Sequence, residues 1–414
     1  MLRRRTIVPL ATAALLAGVL AACSSSSPSG TAGGAAAKSP IVACGDLALA
    51  GPYAQIGETD NWGATAYFHH VNATGGILGH KVKYMVFNNQ SSASESELIA
   101  RKCILTYHAQ FIVGPESGAD TEAALPIAIA YHTILISLSS GWQTNGYPAS
   151  ELTSWGFPGF YDVFYEDQLA SVQQLIVPRH YTRVALLEDN CGSVCLANQG
   201  TVQKLAAQYG FKLVSTQIDQ VGATDVTPQV LAMLAAKPQI ILFGLVPGTD
   251  SITAIRAIRA QSANIPISEC SACELPSFVA AGGGASLMHN IYILGSMQSW
   301  LNAASQGTSA ESRQTAAGLK EYFAGMKAAG YTSENQLDNS QEGWDAGPEI
   351  NWAVTGAGTL DETAVMRKLQ HLNINTLGIV WSRTPADYEN ITQVLAAMEI
   401  IAPDGTVTLY NASK

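Results

Sequence analysis

Charge is scarce in this chain. Of its 414 residues only 13% are Asp, Glu, Lys or Arg, and 22 basic side chains face 32 acidic ones. A net charge of −10 without a basic run excludes a nucleic-acid partner, because phosphate recognition needs clustered Lys and Arg. Catalytic motifs are missing as well. There is no His-Glu-x-x-His helix, no Gly-x-Ser-x-Gly elbow, no Gly-x-x-x-x-Gly-Lys phosphate loop and no Gly-x-Gly-x-x-Gly fingerprint, so neither a metal nor a cofactor is expected. Gly282-Gly283-Gly284 follows a helical pattern and reads as a loop. His69 and His70 are adjacent on a helix, point about 100° apart and do not chelate from one face, which leaves a surface or packing role. Glu188-Asp189 follows a strand pattern, and adjacent carboxylates on a loop are expected to be solvated. What is present is a hydrophobic content of 47%, which excludes wholesale disorder, and a length that suits two lobes of ordinary size.

The first 22 residues have the pattern of an export signal. Arg3, Arg4 and Arg5 precede an apolar run from Thr6 to Ala22 that is too short, and wrongly flanked, for a retained membrane span. It ends in Leu20-Ala21-Ala22-Cys23, which resembles a bacterial lipobox. That resemblance implies cleavage before Cys23 and a diacylglyceryl group on its thiol, two acyl chains being enough for stable anchoring. Loss of the three arginines leaves 19 basic against 32 acidic side chains, a net charge of −13. Residues 23–39, rich in Ser, Gly, Ala and Pro, read as a flexible tether. Removing Cys23 from the odd count of seven cysteines leaves six, an even number in an oxidising compartment. Disulfides among Cys44, Cys103, Cys191, Cys195, Cys270 and Cys273 are expected, rather than a four-cysteine zinc site or a thioredoxin-like Cys270-Ser271-Ala272-Cys273 motif.

From Pro40 onward β-type runs alternate with helical patterns, the signature of an α/β protein with parallel sheets. Strands are predicted at Ile41–Leu49, Lys81–Asn88, Phe111–Val113 and Ile134–Ser137. Helices are predicted from a cap at Asp60 or Asn61 to Asn72, at Glu95–Tyr107 and at Thr121–Tyr131, with a turn at Thr74–Gly79. A second series places strands at Arg183–Leu187, Lys212–Gln217 and Gln239–Leu245. Its helices fall at Cys195–Tyr209, Thr227–Ala236 and Asp250–Gln261, the last carrying an Ile252, Ile255, Ile258 stripe. After Ile291–Gly295 the pattern is mostly helical to Leu372, with a final strand at Val407–Tyr410. A strand order 2-1-3 in the first series would carry the Cys103 helix over the strand containing Cys44, so these two can pair. Cys191 with Cys195 and Cys270 with Cys273 are the local pairings, and exchange between them stays open.

Three segments come in a telling order: Gly51-Pro52-Tyr53-Ala54-Gln55-Ile56-Gly57, Asn72-Ala73-Thr74-Gly75-Gly76-Ile77-Leu78-Gly79, and Val113-Gly114-Pro115-Glu116-Ser117-Gly118 with Pro126. Together with Val184–Gly192, Gly222-Ala223-Thr224-Asp225 and Gly343-Trp344-Asp345-Ala346, they resemble the branched-chain amino-acid type of extracytoplasmic solute-binding protein, the receptor of an ABC importer. The resemblance implies two Rossmann-like lobes, residues 40–157 plus 296–388 and residues 158–295 plus 389–414. Three crossings, near Trp155–Phe160, Ile291–Trp300 and Thr384–Ile391, would join them as a hinge that closes on ligand. It also implies a monomer with a small-molecule ligand, the permease subunits and the membrane as its partners, on the outer face of the cell membrane or in the periplasm. A sensor signalling to a membrane partner, or an exported enzyme on this scaffold, are the alternatives.

Matched to that family, the ligand contacts fall at Ile56, Ser117, Gly118, Ser139, Ser140, Gly141 and Trp142 in the first lobe. In the second they fall at Cys191, Leu245, Glu269 and Ser271. Several depart from the amino-acid pattern. Gly118 stands where the family has a ligand-binding Ser, Gly141 where a Thr hydroxyl grips the substrate, and Leu245 and Cys191 at aromatic positions. Ser271 stands where a carboxylate meets the α-ammonium, with Glu269 two residues away. Backbone N–H groups at the helix starts after Glu116–Asp120 and Ser137–Trp142 suit a ligand carboxylate. The expected solute is small and polar or amino-acid-like.

Overall fold

The computed structural model describes residues 38–51, 53–139, 155–158, 168–190, 193–220, 222–244, 249–261, 264–268, 279–280, 282–338, 340–385, 388, 391–395 and 397–410. Runs of β-branched and aliphatic residues supply five parallel strands of a first sheet: β1 (Ile41–Leu47), β2 (Val82–Asn88), β3 (Phe111–Val113), β4 (Ile134–Ser137) and β5 (Gly156–Pro158). Their order is β2-β1-β3-β4-β5. Helices α1 (Ala54–Ala73), α2 (Ala93–Leu105) and α3 (Gly118–Tyr131) connect them. Alternation along β1 divides the layers. Ile41, Ala43 and Leu47 share one core with Ala64 and Phe68 of α1, and Cys44 shares another with Cys103 of α2 and Ala124 of α3. Cys44 and Cys103 form a disulfide across a Cα–Cα distance of 6.1 Å, the pairing that the β2-β1-β3 order allows.

One helix start differs from expectation. Asp60 does not cap α1, which begins six residues earlier, and its side chain is fully buried inside the helix. The polar run 58–61 resembles a helix start, but tertiary packing overrides it. Residues 341–357 form a helix that lies close along α1 at glycines. A β-carbon on Gly63 would run into the Ser340 carbonyl, and one on Gly343 into that of Asp60.

A second sheet follows, with β6 (Arg183–Asp189), β7 (Lys212–Asp219), β8 (Ile240–Gly244), β9 (Ile267–Ser268) and β10 (Ile291–Leu294). Its helices are α4 (Ser193–Tyr209), α5 (Thr227–Ala235) and α6 (Thr249–Ala260). Ile255 and Ile258 of the α6 stripe are fully buried, and Ile252 packs against the same core. Five helices come next: α7 (Met297–Gln306), α8 (Ala310–Ala328), α9 (Glu334–Asp338), α10 (Gln341–Ala357) and α11 (Glu362–Leu369). A small antiparallel sheet, β11 (Asn373–Thr376), β12 (Ile379–Ser382) and β13 (Ile391–Val394), was not expected. Its strands have four residues each, but the buried Ile379 and Trp381 of β12 do alternate with less buried neighbours. The chain then re-enters the second sheet as antiparallel β14 (Met398–Ile401) and β15 (Val407–Leu409), giving the order β15-β14-β10-β9-β8-β6-β7.

Just beyond β12, Arg383 is buried against Glu349 of α10, which is wholly inaccessible. Two parallel contacts of 2.8 Å run from Nη1 to Oε2 and from Nη2 to Oε1. Nε donates to the Tyr388 carbonyl at 3.0 Å, Nη2 also donates to the Pro158 carbonyl of β5, and the guanidinium lies 4.5 Å from the Trp381 ring centre. Tyr388 in turn stacks on Phe157, centroids 5.3 Å apart. One side chain thus ties α10, the small sheet and the last strand of the first sheet. Removing a single partner strands the other charge in the interior. Arg383→Met is expected to lower the unfolding free energy by about 3–5 kcal/mol, and Arg383→Met with Glu349→Leu to recover most of it. Chemical denaturation checks this, and equal losses in the single and double variants would refute it.

Candidate functional site

In parallel α/β sheets the loops beyond the carboxyl ends of the strands are where ligands sit. In the first sheet these are residues 48–51 after β1, 114–117 after β3 and 138–139 after β4. Gly114, at φ +97°, turns the chain sharply out of β3, and a β-carbon there would run into the Asp46 carbonyl. The turn brings Glu116 back over β1, where its Oε2 accepts the Ala48 N–H at 3.2 Å. Ser117 caps α3 by accepting the Asp120 N–H at 3.2 Å. Leu138 N–H donates to the Pro115 carbonyl at 2.9 Å, and Ser139 N–H to Ser137 Oγ at 3.1 Å. Ser137 Oγ also lies 2.8 Å from Thr121 Oγ1 of α3. The three loops therefore form one hydrogen-bonded layer over the strand ends.

Of the residues proposed for ligand contact, Ser117 and Ser139 are buried in this layer, and Gly118 is the half-buried first residue of α3. Ile56 stands apart on the first turn of α1, 45% exposed. Ser140, Gly141, Trp142, Cys191, Leu245, Glu269 and Ser271 lie outside the described residues, as do the lipobox Cys23 and the cysteines Cys270 and Cys273; Cys195 falls within α4.

The acids of the layer were not singled out from the sequence. Asp46, the penultimate residue of β1, is completely buried and accepts from Ser96 Oγ at 3.1 Å. Burial pushes its carboxyl up to about 8, the Ser96 bond opposing and the neighbouring Glu116 and Asp120 adding to the rise. Burial likewise pushes Glu116 up to about 7, against the pull of backbone hydrogen bonds, and raises Asp120. The signal for Asp46 was a single carboxylate inside an otherwise apolar strand. In the second sheet, the expectation that Glu188 and Asp189 sit solvated on a loop is corrected. Both belong to β6, a strand flanked by β7 and β8, and both are fully buried, with Asn198 Nδ2 donating to Glu188 Oε1 at 3.2 Å.

His70 lies 3.0 Å from Glu321 and packs near Trp344, in line with a packing role. Among the described residues no three His, Cys, Asp or Glu side chains gather as metal ligands, and no helix is long and apolar enough to cross a membrane.

The raised carboxyls set a pH dependence. Folded Asp46 and Glu116 hold protons that the unfolded chain releases near pH ~4, so stability falls as pH rises toward about 8. The melting temperature is expected to drop between about pH 5 and about pH 8, and Asp46→Asn to make that slope shallower. An unchanged slope in the variant would remove Asp46 as its source.

The periplasmic binding protein family matches residues 47–405. No curated protein matches the sequence. The fold resembles an extracellular ligand-binding receptor from Rhodopseudomonas palustris HaA2, at a TM-score of 0.68 and 18% identity, over 90% of this chain and 100% of that one. It also resembles the branched-chain amino-acid transporter substrate-binding protein LivJ of Streptococcus pneumoniae in complex with isoleucine, at 0.62 and 18%, over 90% and 99%. A third likeness is to an R. palustris ABC-transporter solute-binding protein in complex with 4-hydroxybenzoate, at 0.64 and 16%, over 90% and 96%. With 359 consecutive residues under the family match and two parallel-dominated sheets joined in this order, the chain belongs to the periplasmic binding protein family.

Proposed function

We propose that this protein is a lipid-anchored receptor of an ABC importer, capturing a small polar or amino-acid-like solute between two lobes and handing it to a membrane permease. The lobes would comprise residues 40–157 plus 296–388 and residues 158–295 plus 389–414. The observation that carries the reading is the layer of loops over β1, β3 and β4. It sets Ser117 at the N-cap of α3 and Ser139 on the loop after β4 that bonds to Pro115, next to a helix start whose N–H groups and partial positive charge suit a carboxylate. Family membership supports solute binding, and the two ligands seen in the relatives, isoleucine and 4-hydroxybenzoate, are both small and carry a carboxylate. Leu20-Ala21-Ala22-Cys23 supports export and anchoring.

A thermal-shift screen of the full chain against the twenty amino acids and a set of aromatic carboxylates tests the binding. At least one solute should raise the melting temperature saturably, because a ligand of the folded state stabilises it by mass action. Ser117→Ala should weaken that solute about tenfold, beyond the ~1 kcal/mol that loss of the cap takes from the unliganded protein. If no solute in the panel shifts the transition, the receptor reading fails. Anchoring has its own test. Cys23→Ser should move the protein from the membrane fraction to the soluble one, and mass spectrometry of the wild type should find two acyl chains on a peptide beginning at Cys23. A wild type that is already soluble would overturn it.

A further inference from the structure

A second concave site lies elsewhere on the molecule. A cavity of about 360 Å³ opens between α8, α10 and β11. Its wall includes Tyr67, thirteen residues along α1 from Ala54, which puts it roughly 20 Å down the helix from the strand-end loops. Its chemistry is aromatic and acidic. Trp344 and Trp352 line it, Trp344 fully buried and Trp352 half-buried, and Asn351 and Thr376 supply polar edges. Asp345 also lines it with only 4% of its surface exposed, and its Oδ1 has no hydrogen-bond partner. Thr376 Oγ1 accepts from Trp381 Nε1 at 3.1 Å, which leaves the hydroxyl proton for the Asp345 carboxyl.

The lining itself holds two carboxylates, Asp345 and Glu321, and no Lys or Arg, while Arg367, Lys368 and His371 border a neighbouring cavity that shares Trp352. Glu321, half-exposed at the rim, meets His70 at 3.0 Å. Another cation, Arg383, is engaged by Glu349 through both of its terminal nitrogens. Burial, aided by Glu349 and Glu342, raises the Asp345 carboxyl well above the ordinary range, so in the free protein it holds a proton. A bound cation would take the place of that proton, and an organic body would pack on the half-buried Trp352 indole, whose face attracts positive charge.

We propose that this cavity is a binding site separate from the strand-end loops, taking a small organic ammonium ion whose charge meets Asp345 and Glu321 and whose apolar body packs on Trp352. The test uses the full chain labelled with 5-fluorotryptophan and read by fluorine NMR, with the Trp352 signal assigned from Trp352→Phe. The probes are phenethylammonium and its neutral counterpart phenethyl alcohol. Phenethylammonium should shift the Trp352 signal saturably, and the alcohol at equal concentration should not. Asp345→Asn should weaken the ammonium by about tenfold or more. Glu321→Gln, at an exposed position that folding tolerates, should weaken it several-fold and serves if the first variant fails to fold. Ser117→Ala should leave the titration unchanged, which separates this site from the solute-binding reading. The proposal is overturned if the Trp352 signal does not move, if the alcohol shifts it equally, or if the foldable acid variants bind phenethylammonium as the wild type does.

Discussion

The pairing of Arg383 with Glu349 is the constraint on which the arrangement of the chain depends. Three parts of the sequence far apart in number, β5 near residue 158, α10 near residue 349 and the segment from 383 to 388, meet at one guanidinium. Burying two full charges costs several kcal/mol each, which is recovered only when every donor finds an acceptor. Here both terminal nitrogens reach the carboxylate, one also reaches the Pro158 carbonyl, and Nε reaches that of Tyr388. The Trp381 ring covers the planar face. A lysine offers a point charge and could not satisfy this set of planar contacts. These segments also border passages of the chain between the sheets: β5 precedes β6 of the second sheet, and the small sheet precedes β14. On the proposed two-lobe reading, fixing one side of such passages rigidly would confine relative motion to the passages themselves, as hinge closure on a solute requires.

The strand-end layer follows a different rule. Its acids are buried without a cationic partner in their hydrogen bonds, so the cheaper state is the neutral one. A protonated Glu116 can still accept the Ala48 N–H through one oxygen while carrying a proton on the other. Protonation of Asp46, and in part of Glu116, lets the β1 and β3 loops be held together with less negative charge beneath the N-terminus of α3. That terminus keeps its partial positive charge for a ligand, on the proposed reading, even though Asp46, Glu116 and Asp120 lie close by. A layer of ionised acids there would repel the carboxylate that the helix end suits.

Much of the fold was legible because periodicity carries it. The β1, β2, β3 and β4 runs and the α4, α5 and α6 patterns fell within a few residues of their observed bounds, and the Cys44–Cys103 pairing was one that a 2-1-3 strand order allows. The start of α1 was not legible. A polar run containing Asp60 looks the same whether it ends a loop or fills a helix turn, and only the close approach of α10 at Gly63 and Gly343 decides it. The small sheet was hidden because its strands are four residues long, too short for alternation to stand out from a loop. For the proposed site, sequence placed Ser117 and Ser139 in loops that do follow β3 and β4, yet did not single out the buried acids Asp46 and Glu116. Local sequence does not report that a carboxylate will be covered from three sides by β1, α2 and the β3–α3 loop. Burial of that kind is a property of topology.

The scarcity of charge reads differently once that burial is known. Asp46, Asp60, Glu116, Asp120, Glu188, Asp189, Asp219, Asp250, Asp345 and Glu349 are all buried, close to a third of the 32 acids, whereas Arg383 is the one buried basic residue among those described. For Asp46, Asp60 and Asp345 burial outweighs every favourable contact, so a proton is held where an ion in a poorly polarisable interior would cost more. Asp46, Asp60, Glu116, Asp120, Asp219 and Asp345 are indeed all shifted upward by burial first, and only Glu349 has an arginine to oppose the shift. The formal charge counted from the sequence therefore overstates the negative charge of the folded protein. Part of the acidic content serves as hydrogen-bonding material held neutral inside, and raising the pH tends to ionise it at the expense of the fold.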